Sequence, residues 1–107
     1  MKYVIGITLL LLVSCLSPRY KYSNTYDGEL KPRGENCNFK VVSALPKGDY
    51  VEIGVLNLDV HVDFAARDVG TFKEKIRKDV CNSGGDIVVG EVNGRGHYVR
   101  GTIFKKK

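Results

Sequence analysis

The sequence lacks an apolar run long enough to cross a lipid bilayer as a helix, because its N-terminal run, residues 3–13, has about half of the required length. It also lacks a basic stretch interleaved with aromatic residues, so we expect no nucleic-acid partner. Ser43 and Ser83 have no catalytic motif around them, and a chain of 107 residues has little room for an enclosed pocket. We therefore predict a noncatalytic protein without a cofactor.

The apolar run ends in Leu12-Val13-Ser14-Cys15, with Lys2 before it and a polar segment after it. This pattern resembles the signal of bacterial lipoproteins, in which a lipid is attached to the cysteine and the preceding residues are removed. The resemblance implies that residues 1–14 are a signal peptide and that Cys15 is lipidated. An ordinary cleaved signal and an uncleaved anchor are the alternatives, and the shortness of the run argues against the anchor.

Leu16 follows the cysteine, at the position where an Asp is the familiar retention signal for the inner membrane. The resemblance therefore implies an exported protein that is anchored by its lipid to the outer membrane and faces the periplasm. The net charge of +5 favours contact with anionic lipid or another polyanion there, although a charge excess also keeps a protein soluble.

Only three cysteines are present, and lipidation of Cys15 leaves Cys37 and Cys81 as an even pair. In an oxidising compartment such a pair is predicted to form a disulfide. A metal site and a reactive thiol are the alternatives. Two isolated cysteines support a metal site poorly, and a reactive thiol requires an activating environment.

Residues 15–36 are polar, are interrupted by prolines and glycines, and have no apolar period. They are predicted to form the lipidated N-terminus and a flexible tether with a reach on the order of 25 Å, followed by one small domain over residues 37–107. Tyr20, Tyr22 and Tyr26 alternate with polar residues, which suits either the headgroup level of a membrane or a short strand.

Two strand candidates, residues 39–45 and 50–62, begin the predicted domain, and a phase switch in the second predicts a bulge near residues 54–57. Residues 86–92 and 97–105 are predicted to pair as a hairpin. Their connection, Asn93-Gly94-Arg95-Gly96, has the Asn-Gly pair that is typical of such turns.

A helix is predicted over residues 71–82. Thr71 and Glu74 have the spacing of a capping box, and glycines after the segment supply a stop. The order β-β-α-β-β predicts a small α+β domain, in which the helix packs on one face of a sheet of about four strands, with one disulfide. The buried stripe of the helix is predicted to consist of Phe72, Ile76 and Val80.

The segment Cys81-Asn82-Ser83-Gly84-Gly85-Asp86-Ile87-Val88 ends a helix in glycine before an apolar strand. Together with the lipoprotein signal and the tether, it resembles the RcsF-like stress-sensor lipoproteins and the YbjQ-like domains of the same fold, over residues 37–105. The resemblance implies an outer-membrane lipoprotein that contacts other envelope proteins, performs no chemistry and acts in stress sensing or signalling. One departure is that the RcsF-type domain has two disulfides, whereas this chain has cysteines for one.

Asp59, His61 and Asp63 alternate, so on a strand they would project from one face, where they would suit a divalent metal. An ordinary exposed polar face is the other interpretation. His97 could approach His61 only if the strands that carry the two residues are paired. The alternative function is therefore a small ligand- or metal-binding module anchored at the membrane.

Basic residues of the helix, the hairpin turn and the C-terminal tail are candidates for a contact surface, or for a solvated face without a partner. They are Lys73, Lys75, Arg77, Lys78, Arg95, Lys105, Lys106 and Lys107.

Overall fold

A computed structural model describes residues 20–34, 36–59 and 65–107. Within these residues the strands form one mixed sheet in the order β1-β3-β5-β4-β2, with a helix beside it. The predicted α+β class is confirmed. The elements are β1 (Tyr20–Asn24), β2 (Lys40–Val42), β3 (Tyr50–Leu58), α1 (Val69–Ser83), β4 (Ile87–Val92) and β5 (Tyr98–Lys106).

The predicted count of four strands is wrong, because β1 lies inside the predicted tether, residues 15–36. β1 pairs antiparallel with β3, and Tyr20 faces the helix with 6 % of its surface exposed. Only five residues form the strand and only one side of it is covered. Its sequence is therefore mostly polar and gives a weak strand signal. The described fold therefore begins at Tyr20 and not at residue 37.

Residues 25–34 of the predicted tether also contact the domain, although they form no strand or helix. The backbone N–H of Arg33 donates to the carbonyl of Cys81 at 2.9 Å. Its guanidinium donates to the carbonyl of Gly85 and forms an ion pair with Asp86 at 2.9 Å. Residues 31–33 thus form a strap across the C-terminal end of α1.

β2 is shorter than the predicted strand 39–45 and pairs in parallel with β4 at the edge of the sheet. The predicted strand 50–62 ends as β3 at Leu58, and residues 60–64 lie outside the described part. A register shift between Glu52 and Gly54 places a bulge at the start of the predicted segment 54–57. The predicted hairpin of β4 and β5 is confirmed.

The N-cap of α1 is Asp68, and the predicted capping box of Thr71 and Glu74 is wrong. Asp68 has extended backbone, and its side chain accepts a hydrogen bond from the Thr71 N–H at 2.9 Å. This bond lowers the pKa of the Asp68 carboxyl. Glu74 instead binds Arg77 one turn further along the helix. Because Asp68 takes the capping position, the helix begins two residues before the predicted start.

The predicted buried stripe of α1 is confirmed, since Phe72, Ile76 and Val80 are all fully buried. They join Ile53, Leu56 and Ile103 of the sheet in the core. Glycines on the strands make room for them. A Cβ on Gly101 would stand 3.1 Å from the ring of Phe72, which is closer than ordinary packing allows.

The predicted disulfide between Cys37 and Cys81 is confirmed. It joins the segment just before β2 to the last turn of α1, and both sulfurs belong to the core. The metal-site and reactive-thiol interpretations of these cysteines are therefore wrong for this disulfide-bonded form.

Replacing both cysteines of the pair with Ala is expected to lower the free energy of unfolding by about 4 kcal/mol. The reason is that the disulfide joins two residues with a sequence separation of 44 and so restricts the unfolded chain. Guanidinium denaturation of the variant and of the reduced wild type measures the change. A loss below about 1 kcal/mol in both would show that the cross-link contributes little.

Gly84 and Gly96 provide a matched pair for testing the strap, since their φ angles are +84 and +82. A Cβ on Gly84 would clash with the backbone oxygen of Lys31, whereas nothing lies near Gly96. We expect Gly84→Ala to lower the free energy of unfolding by about 3 kcal/mol and Gly96→Ala by about 1 kcal/mol. Equal losses in a denaturation experiment would contradict the position of the strap.

Candidate functional site

The predicted basic residues lie in three separate places: the outside of α1, the β4–β5 turn and the end of β5. Arg95 and Lys105 are separated by most of the length of β5, on the order of 25 Å at about 3.3 Å per residue. The eight residues therefore do not form one continuous surface. α1 carries Lys73, Lys75, Arg77 and Lys78, the turn carries Arg95, and the end of β5 and the residue after it supply Lys105, Lys106 and Lys107.

Two of the four basic residues on α1 cover the aromatic ring of Phe39. The Nζ atom of Lys73 lies 5.3 Å from the ring centroid, and the Cζ atom of Arg77 lies 5.6 Å from it. Each such contact stabilises a fold by roughly 0.5–1 kcal/mol at a partly exposed site. Lys75 and Lys78 are exposed, so they are the cations that α1 presents to solvent.

Arg77 also holds the segment before β2 in place. Its guanidinium donates to the carbonyl of Cys37 at 3.0 Å and to the carboxylate of Glu74 at 2.8 Å. The bond from Arg77 lowers the pKa of the Glu74 carboxyl. A surface depression of about 290 Å³ lies beside this pair, with Asn36 and Lys78 completing its lining. The four lining side chains are all polar or charged, so the depression offers polar contact.

The C-terminal lysines belong to the sheet and are not a loose tail. The ammonium of Lys105 lies 4.6 Å from the centroid of the Tyr26 ring. The backbone N–H of Lys106 donates to the Asp86 carboxylate at 2.8 Å, and that of Lys107 donates to the carbonyl of Asp49 at 2.9 Å. These bonds fix the end of β5 next to the starts of β3 and β4.

Only one of the three predicted metal ligands lies among the described residues. Asp59 is exposed just after β3, whereas His61 and Asp63 lie outside the described residues. Among residues 20–34, 36–59 and 65–107, no three groups of His, Cys, Asp or Glu are placed to hold a metal ion.

His97 is buried at the base of the hairpin turn, with 5 % of its surface exposed. The side-chain oxygen of Asn93 accepts from the N–H groups of His97 and Arg95 and so shapes the turn. The imidazole Nδ1 of His97 has no hydrogen-bond partner within the described residues.

The contacts at the end of the sheet where β1 begins were not predicted from the sequence. The Tyr20 hydroxyl donates to the carbonyl of Tyr98 at 2.6 Å and accepts from the Ala66 N–H at 3.1 Å. Phe72 meets Tyr20 edge to face at 5.1 Å between centroids and stacks on Tyr98 at 4.6 Å. The period-two spacing of Tyr20 and Tyr22 was the one available signal.

The described residues contain no candidate membrane span, and the chain matches no known family. No helix in the described part of the chain is long and apolar enough to span a membrane. The predicted signal peptide, residues 1–14, and the lipid site, Cys15, lie outside that part. Comparisons with models of protein families, with curated protein sequences and with solved structures found no significant match.

Tyr20→Phe is expected to lower the free energy of unfolding by about 2 kcal/mol at neutral pH, because it leaves the Ala66 N–H and the Tyr98 carbonyl without their partner. Tyr22→Phe is the matched control. It removes only one long bond of 3.4 Å, to the carbonyl of Ile53, and we expect about 0.5 kcal/mol. Urea denaturation compares the two, and equal losses would contradict the bridging position of Tyr20.

The same variant has an expected pH dependence. Burial raises the pKa of Tyr20 above its ordinary value of 10.0. Because the folded state disfavours the ionised hydroxyl, this contribution to stability is complete below pH 10 and is lost as the pH rises above it. Stability measured between neutral and alkaline pH should therefore fall more steeply for wild type than for Tyr20→Phe.

Proposed function

We propose that this protein is a noncatalytic lipoprotein of the bacterial envelope, anchored through Cys15 and acting by contact with other envelope components. The proposed location is the outer membrane with the domain facing the periplasm, because Leu16 and not Asp follows the cysteine. The resemblance to RcsF-like proteins supports stress sensing or signalling as the purpose of those contacts. Because this chain has one disulfide and the RcsF-type domain has two, the proposal does not extend to the same signalling partners.

The observation that carries the proposal is the position of the lipoprotein signal relative to the fold. Cys15 ends the apolar run, and β1 begins at Tyr20. A lipidated Cys15 would thus precede the folded domain with nothing between them but residues 16–19. The order of signal, short connection and domain is that of a protein held at a membrane.

Anchoring of this kind has a simple physical basis. Each methylene buried in the bilayer contributes about 0.8 kcal/mol, so a single acyl chain binds reversibly and two or more chains hold durably. The disulfide between Cys37 and Cys81 is compatible with export, because disulfides persist in oxidising compartments such as the periplasm.

The exposed cations on α1 are candidates for the contacts that the proposal requires. Lys75 and Lys78 are exposed, and Lys78 lines the polar depression, whereas Lys73 and Arg77 contact the ring of Phe39. An envelope protein with an acidic surface would suit this side of the helix.

Cys15→Ala is expected to abolish incorporation of a fatty-acid analogue in a bacterial host and to release the protein from the membrane fraction, because the thiol is the proposed attachment point. Ser17→Ala is the control and should keep both. Continued labelling of Cys15→Ala would overturn the proposal, as would labelling absent from the wild type.

A further inference from the structure

One end of the sheet is the end at which β1 begins, five residues after the proposed anchor in the sequence. β1 begins there with Tyr20, which is opposite Leu58 at the end of β3, and β5 begins there with Tyr98, which is opposite Val92 of β4. The first turn of α1 lies there as well, since Phe72 packs on both tyrosines. We call this region the Tyr20 end.

The covalent chain limits how far the Tyr20 end can stand from the bilayer. Five Cα–Cα steps separate Cys15 from Tyr20, and each spans at most about 3.8 Å. The headgroup region of one leaflet is itself roughly 5–7 Å thick. If Cys15 carries lipid, the Tyr20 end is therefore confined to the surface of the membrane.

The Tyr20 end also exposes apolar side chains. Among the described residues, three large hydrophobic side chains are exposed, and two of them, Val69 at 47 % and Val92 at 49 %, lie at this end. The third, Leu45 at 40 %, lies in the connection from β2 to β3, which enters β3 beside Lys107 at the opposite end.

Basic residues surround the two valines. Lys21 and Arg67 are exposed at this end. Arg100 is opposite Glu91 on the neighbouring strand, so their charges balance. Among the described residues, Asp59 and Asp68 also lie at this end, and the Asp68 carboxylate is turned toward the N–H of Thr71. Arg67 and Lys21 present their charges to solvent beside the valines, which favours contact with an anionic surface.

From these observations, and resting on the proposed lipid anchor, we infer that the Tyr20 end is a membrane-docking surface. Val69 and Val92 enter the headgroup region of the bilayer that holds Cys15, and Arg67 contacts the phosphates of anionic phospholipid. Each contact is weak in isolation. The anchor makes docking intramolecular, so weak contacts suffice to hold the domain in one orientation.

The chain contains no tryptophan, so a single introduced one reports on its own surroundings. Full-length lipidated Val92→Trp and Leu45→Trp would be reconstituted into vesicles of phosphatidylethanolamine and phosphatidylglycerol, with and without brominated acyl chains. We expect Val92→Trp to lose emission in brominated vesicles and to emit at shorter wavelength, whereas Leu45→Trp is unchanged. Val69→Trp is a second reporter and should behave like Val92→Trp.

Charge variants test the choice of lipid. Each basic residue near an anionic bilayer is expected to change the ratio of docked to undocked domain by about fivefold. Arg67→Ala in the Val92→Trp background should therefore reduce quenching, and Lys107→Ala, at the opposite end, should not. Vesicles of phosphatidylcholine alone should reduce quenching in the parent in the same way.

The outcomes separate the inference from the function on which it rests. Protein that fails to float with the vesicles would overturn both the anchor and the docking surface. Protein that floats but shows equal emission from Val92→Trp and Leu45→Trp would overturn the docking surface and leave the anchor intact.

Discussion

The disulfide between Cys37 and Cys81 is the constraint on which the edge of this fold depends. β2 contributes only three residues to the sheet and pairs in parallel with β4, so its ladder alone is a weak attachment. The disulfide ties the segment before it to α1, and Phe39, adjacent to that segment, is buried beneath the cations of the same helix. The strap of residues 31–33 then closes over the helix end.

Sequence patterns predicted the features that depend on side chains a helical turn apart or on the chemistry of one residue type. The stripe of Phe72, Ile76 and Val80, the disulfide and the hairpin are of this kind. A short strand at Tyr20 was only one of two alternatives, because the burial of β1 comes from Phe72 and Ala66, which are distant in sequence. The N-cap was predicted wrongly because both Asp68 and Thr71 are residue types that cap helices, and Asp68 accepts from the Thr71 N–H.

The candidate site shows the same division. Basic residues can be counted from a sequence, but their grouping depends on strand direction. β5 separates Arg95, in the turn before it, from Lys105, near its other end. Nor does composition reveal that Lys73 and Arg77 are occupied with Phe39. A polarity between the two ends of the molecule emerges instead, with exposed valines near the proposed anchor and the lysines of β5 away from it.

The antiparallel pairing of β1 with β3 has a mechanical consequence. A lipid at Cys15 would pull on Tyr20 along the axis of the strand, while the hydrogen bonds to β3 run across that axis. A load directed along the strand would act in shear on all five residue pairs together and would not unzip them one at a time. The Tyr20 hydroxyl adds a lateral brace to β5. If Cys15 carries the proposed lipid, tension at Tyr20 would therefore be shared among the residue pairs of β1 and β3.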